Sequence, residues 1–172
     1  MPLGLKILIA VMAVSLFGFG PLQAQPFHPP LLTAAQKAGL DQAAGAYGRA
    51  DYAAALRIWR QLADQGNASA QNSLGQMYLQ GKGVPQDYTQ AVSWHRKAAE
   101  QGAALAQFTL GSMYEGGIVG LEPDYVQAHK WYNLAAARGD PWGAAWRDEL
   151  AKKMTHAQIA EAQRLAREWK PK

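Results

Sequence analysis

The chain has 172 residues, a formal charge of +4 and no cysteine; that leaves room for one domain and excludes both a disulfide framework and a thiolate metal site. Its stability must therefore come from packing. The basic balance does not read as a nucleic-acid footprint, because after Trp146 the cations Arg147, Lys152, Lys153, Arg164, Arg167, Lys170 and Lys172 are interspersed with Asp148, Glu149, Glu161 and Glu168, as on a solvated helical face.

At the amino end, Lys6 precedes an apolar run over residues 7–19, and Gly20-Pro21 breaks it before Leu22-Gln23-Ala24. This is the pattern of an export signal, residues 1–24, with cleavage after Ala24. The run is shorter than the roughly 20 apolar residues of a membrane span, so no stable membrane insertion is expected once the signal is removed. No cysteine follows to carry a lipid. Export of a cysteine-free chain fits a bacterial periplasm or exterior, where disulfides are permitted but not required. Residues 25–32 hold three prolines and should form an extended tether, with His28 a solvated side chain.

Thr33 then offers an N-cap for a helix to about Tyr47, with a stop expected at Gly48. Beyond it a sixteen-residue segment occurs three times, at residues 51–66, 87–102 and 124–139, spaced by 36 and then 37. The first copy matches the middle one at seven positions and the third at eight, where unrelated segments would match at about one. A period in this range marks stacked supersecondary units. Asp51, Asp87 and Asp124 stand where a carboxylate can accept from free first-turn amides, and Gln90 and Gln127 could complete a reciprocal cap. Gly66, Gly102 and Gly139 should close each helix in the left-handed conformation.

Between these copies lies a second repeated helix, at residues 68–81 and 104–117. The columns shared there are Ala70 and Ala106, Leu74 and Leu110, Gly75 and Gly111, Met77 and Met113, and Tyr78 and Tyr114. Glycine inside a helix costs about 1 kcal/mol relative to alanine, and taking that cost twice implies close approach by a neighbouring helix. The loops 82–86 and 118–123 end on Pro85-Gln86 and Pro123, just before a capping aspartate; Gly81-Lys82-Gly83 lacks the rest of a phosphate loop. After Asp140 the period fails. A third short helix is expected with Pro141 in its first turn, then a final amphipathic helix capped from Thr155 to Gln158, giving a carboxyl-terminal closing unit over residues 140–172.

With these residues in view, the chain resembles the Sel1-like repeat family, relatives of the tetratricopeptide repeats. The resemblance rests on the Ala-Leu-Gly-Met-Tyr-Gly helix, the Gly-Val-Pro-Gln-Asp-Tyr loop and the Ala-Trp-Lys-Ala-Ala-Gly helix as they appear over residues 67–139. It implies an all-α fold, a right-handed solenoid of helical hairpins over residues 33–139 with about two full repeats and partial terminal units, used for protein interaction. His95 departs from the pattern, standing where the other copies carry Trp59 and Tyr132.

Reactive chemistry is sparse. Among His28, His95, His129 and His156 no two share the i, i+4 spacing of a zinc helix, and no nucleophile motif occurs; no cofactor, metal or catalytic residue is assigned, and the chain is read as a non-enzyme. His95 and His129 fall in helix columns and read as packing residues. Trp59, Trp94, Trp131, Tyr132, Tyr52, Tyr88 and Tyr125 fall in repeated columns and read as core. Family members carrying cysteine pairs are linked with antibiotic-ring hydrolysis, so a cell-wall-active or lactam-hydrolysing protein is the alternative function; this chain lacks those cysteines. The expected binding surface is where the copies differ: Asn72 and Phe108, Gln76 and Ser112, Leu79 and Glu115 lie away from the shared columns. Asn72, Gln76, Phe108, Ser112 and Glu115 are therefore the candidate contacts for a protein or peptide in a concave groove.

Overall fold

The computed structural model describes residues 32–117 and 122–172. The expected export signal, the tether up to residue 31 and most of the second loop lie outside the described residues. Among the described residues eight helices follow one another: α1 (Ala34–Gly48), α2 (Tyr52–Asp64), α3 (Ala68–Gln80), α4 (Tyr88–Glu100), α5 (Ala104–Gly116), α6 (Tyr125–Ala137), α7 (Gly143–Ala151) and α8 (His156–Glu168). Each packs on its neighbour in sequence from α1 to α7, and α8 turns back onto α6. Most helices have 13 residues, a length that is marginal in isolation and is stabilised by this stacking.

The capping chemistry explains where the helices begin. Asp51, Asp87 and Asp124 each accept a hydrogen bond from the backbone N–H three residues on, at 2.9–3.1 Å. The reciprocal bond expected from Gln90 and Gln127 does not form; capping boxes close instead at Thr33 with Gln36 and at Thr155 with Gln158. Gly66, Gly102 and Gly139 take φ of 85–86°, the region expected of a helix-ending glycine. Helix α1 ends at Gly48, as expected, although the left-handed residue that turns the chain is Ala50 at φ 61°. One boundary differs from expectation. Pro141 lies before α7 rather than in its first turn, because Asp140 Oδ1 accepts from the N–H groups of Trp142 and Gly143 and starts the helix there.

The repeated interior glycines sit where two helices meet. A Cβ at Gly75 would lie 2.7 Å from the His95 ring, and one at Gly111 would lie 2.7 Å from Tyr132 Cδ1; contacts that short are not tolerated, so each ring of the second helix rests on the bare backbone of the first. Polar bonds repeat with the same register. Gln71 Nε2 donates to Ala63 O and Gln107 Nε2 to Ala99 O, tying each short helix to the unit before it. Arg60 donates to the Tyr78 hydroxyl and Arg96 to that of Tyr114, both at 2.8 Å.

The core falls into three clusters along the stack. Ala43, Ala55, Trp59, Leu62, Leu74 and Met77 fill the first part, Ala98, Ala106, Leu110, Trp131 and Leu134 the middle, and Ala128, Tyr132 and Leu150 the end. Of the aromatic columns, Trp59, Trp131 and Tyr132 are buried. Tyr52, Tyr88, Trp94 and Tyr125 are only half-buried, and the Lys97 ammonium lies 4.0 Å from the centre of the Trp94 ring. These four cover the stack rather than fill it.

The carboxyl end straps the structure. Trp169 meets Trp131 edge to face at 6.3 Å and takes the Arg138 guanidinium over its ring at 5.0 Å. Lys172 returns to α4, its backbone N–H donating to Glu100 O and its ammonium pairing with the Glu100 carboxylate at 3.0 Å. Elsewhere in the basic tail Lys152 pairs with Glu149 and Arg164 with both Glu161 and Glu168, while Lys153 reaches Glu115 of α5.

Candidate binding face

Helices α3, α5 and α7 are the first helices of successive hairpins, and corresponding residues recur at intervals of 36 or 37. Asn72 corresponds to Phe108, Ser73 to Thr109, Gln76 to Ser112, Leu105 to Trp142 and Thr109 to Trp146. The five residues expected to form the groove divide between two environments along this face.

Asn72 and Gln76 line an open cleft of about 360 Å³ together with Tyr47, Trp59, Ser73, Leu105 and Thr109. No lining side chain is charged. Tyr47 and Trp59 form an aromatic wall, their rings 5.4 Å apart, and the Tyr47 hydroxyl is fixed by donating to Gln80 Oε1. Leu105 stands on the rim at 59 % exposure. Beneath the cleft, Asn72 Oδ1 lies 3.0 Å from Nδ1 of His95; because the amide oxygen can only accept, Nδ1 carries the proton. His95 is 1 % exposed and its Nε2 has no partner. Burial pushes its pKa down to about 4, so the ring is neutral at pH 7 and packs as an uncharged residue in an aromatic column.

Phe108, Ser112 and Glu115 lie one unit further on, where the face is occupied by the protein itself. Phe108 packs on Tyr132 at 5.4 Å, and Trp146 of α7 meets both rings, at 6.2 and 6.4 Å. Glu115 accepts from the Tyr132 hydroxyl at 3.0 Å and pairs with Lys153 at 3.1 Å. Ser112 is exposed beside them. Of the five expected contacts, Asn72 and Gln76 line the cleft; Ser73, Leu105 and Thr109 line it without having been expected, and Phe108 and Glu115, expected to be open, are engaged by α7 and the turn after it. The missed signal was the correspondence of Thr109 with Trp146, which becomes visible only when α7 is aligned with α5 despite the broken motif.

His129 is also buried, with Nδ1 unpartnered, and burial followed by the nearby Arg147 lowers its pKa. It lies on α6 and not in the cleft. Among the described residues no group of three or more histidines, cysteines or carboxylates is placed to hold a metal ion, and no helix is long and apolar enough to cross a membrane.

Comparison with known proteins agrees with this architecture. The family model described as Sel1 repeat matches residues 37–67, 68–102 and 104–140, so the short first hairpin counts with the two longer ones. Among solved structures, the chain is similar to c5321, a protective antigen of uropathogenic Escherichia coli strains displaying an SLR fold, at 36 % identity and a TM-score of 0.73 over 78 % of this chain and 29 % of that one. It is also similar to a Sel1 repeat protein from Oxalobacter formigenes, at 35 % identity and a TM-score of 0.57 over 66 % and 49 % of the two chains. The chain thus spans under a third of the first and about half of the second. No curated protein matches it.

Proposed function

From the premise that the chain belongs to the Sel1 repeat family, whose repeats typically serve protein–protein interaction, we propose that it is a non-enzymatic adaptor, exported to a bacterial periplasm or exterior, that holds a protein partner along the face of α3 and α5. One observation carries this reading: two consecutive first helices present a cleft with an exposed leucine, open amide and hydroxyl side chains and an aromatic wall, the mixture of apolar anchor and polar rim that a protein interface uses. Export is supported by the charge, apolar run and small-residue site of the first 24 residues.

The test is a purified envelope partner, obtained by crosslinking in the producing cell and then titrated calorimetrically. The paired substitutions Gln76→Ala and Leu105→Asp are expected to weaken binding at least tenfold with the melting temperature preserved. Unchanged affinity in such a folded variant removes this face from the function. Mass spectrometry of the protein outside the cytoplasm is expected to find Gln25 at its amino terminus.

A further inference from the structure

The two environments of the face differ at the joint beneath it, Asn72 with His95 against Phe108 with Tyr132, and in the side chain that reaches over that joint, Thr109 against Trp146. In the later unit, the indole of Trp146 lies half-exposed, at 46 %, with one side against Phe108 and Tyr132. One unit earlier the corresponding residue is Thr109, whose hydroxyl turns back to donate to Leu105 O within its own helix. A threonine is too short to span the space an indole fills, and the open cleft of about 360 Å³ is found there, bounded by Thr109, Leu105, Asn72, Gln76 and the Trp59 and Tyr47 rings. The rim corresponds as well, Leu105 in one unit and Trp142 in the other, both about 60 % exposed.

We propose that this cleft receives a tryptophan-like aromatic side chain from an extended segment of the partner, in the place that Trp146 fills from within one repeat later. The proposal rests on the adaptor reading and names what its partner must carry. Three observations commit it to that occupant. At the equivalent site the protein places an indole of its own, Trp146, against the face. The seven lining side chains are uncharged, and the Lys82 ammonium beside the Tyr47 ring, 5.1 Å from its centre, disfavours a second cation, whereas a neutral ring enters without the desolvation cost of a charge. Asn72 and Gln76 add side-chain amides beside the ring seat, and an amide both donates and accepts, as an extended backbone requires. The Asn72 oxygen is committed to His95, which leaves its NH₂ to donate to a backbone carbonyl of the bound segment.

The experiment uses the full chain, isotope-labelled, and a panel of acetylated and amidated pentapeptides Gly-Ser-X-Ser-Gly with X as Trp, Leu, Glu or Lys, titrated to 10 mM and followed by amide chemical shifts. The Trp peptide is expected to shift Asn72, Ser73, Gln76, Leu105 and Thr109 together and to bind at least tenfold more tightly than the Glu and Lys peptides. Thr109→Trp, which supplies the missing indole from within, is expected to abolish that binding, with its fold checked by thermal melting. If Thr109→Trp does not fold, the panel on the unmodified chain still decides. Equal affinity across the panel, shifts located elsewhere, no binding of any peptide, or full binding by a folded Thr109→Trp overturns the proposal. A macromolecular partner that Gln76→Ala with Leu105→Asp still releases, while the Trp peptide binds no better than the Lys peptide, leaves the adaptor reading standing without this one.

Discussion

Nδ1 of His95 on α4 lies 3.0 Å from Oδ1 of Asn72 on α3, at the position where the next hairpin sets Tyr132 against Phe108. The same joint is therefore polar in one unit and aromatic in the other. Removing Asn72 leaves the buried imidazole N–H without an acceptor, so Asn72→Ala is expected to cost about 1–3 kcal/mol, read from urea unfolding. Replacing both partners with apolar residues, Asn72→Leu with His95→Phe, is expected to cost less than Asn72→Ala alone, since no orphaned group remains.

The same joint makes the protein sensitive to acid. Folding holds the His95 pKa at about 4, below its ordinary value of 6.5, so the unfolded chain binds a proton that the folded chain refuses. Stability from this residue is present above pH 6.5 and is lost as pH falls toward 4, by about 2–3 kcal/mol. His129 is shifted in the same direction. Chemical denaturation at pH 7 and pH 4.5 is expected to show a smaller loss for Asn72→Leu with His95→Phe than for the parent; an identical loss rejects His95 as the source.

Glycines within one helix should respond oppositely to the same change. A methyl at Gly111 meets Tyr132 Cδ1 at 2.7 Å and Ala128 O at 3.2 Å, and Tyr132 is fully buried. Gly111→Ala is expected to destabilise by about 1–3 kcal/mol and Gly111→Leu to unfold the later hairpin. At Gly116, in the last turn of the same helix, nothing lies within 4 Å, so Gly116→Ala is expected to be neutral or to gain up to about 1 kcal/mol from helix propensity. Circular-dichroism melts of the three variants check the ordering.

Trp169 is the hinge pin of the strap that closes the stack. Trp169→Ala removes its contacts with Trp131 and Arg138 and is expected to cost about 2–4 kcal/mol. Hydrogen exchange should quicken in α6 and α8 while α1 and α2 keep their protection. Equal loosening at both ends of the chain contradicts a locally closed stack.

Much of the fold was legible because repetition exposes which positions matter. Asp87 and Asp124 recur as caps, Gly102 and Gly139 recur as stops, and Gly75 and Gly111 recur as points of close approach, each a local requirement that a residue type satisfies alone. Less of the candidate face was legible. Variation between Asn72 and Phe108 marks a column free of the shared packing, yet it does not distinguish a side chain facing an open cleft from one covered by its own neighbour. Whether Phe108 is open depends on Trp146, 38 residues away, and whether Glu115 is free depends on Lys153.

By itself the sequence determined the helices, their period and their caps, since these depend on interactions between residues three or four apart. Only the tertiary structure decided that α7 covers one stretch of the face while Thr109 leaves the preceding stretch open, and that α8 returns to α6. Those outcomes depend on how far successive units rotate and how deep each side chain reaches across the gap, quantities that no spacing along the chain encodes.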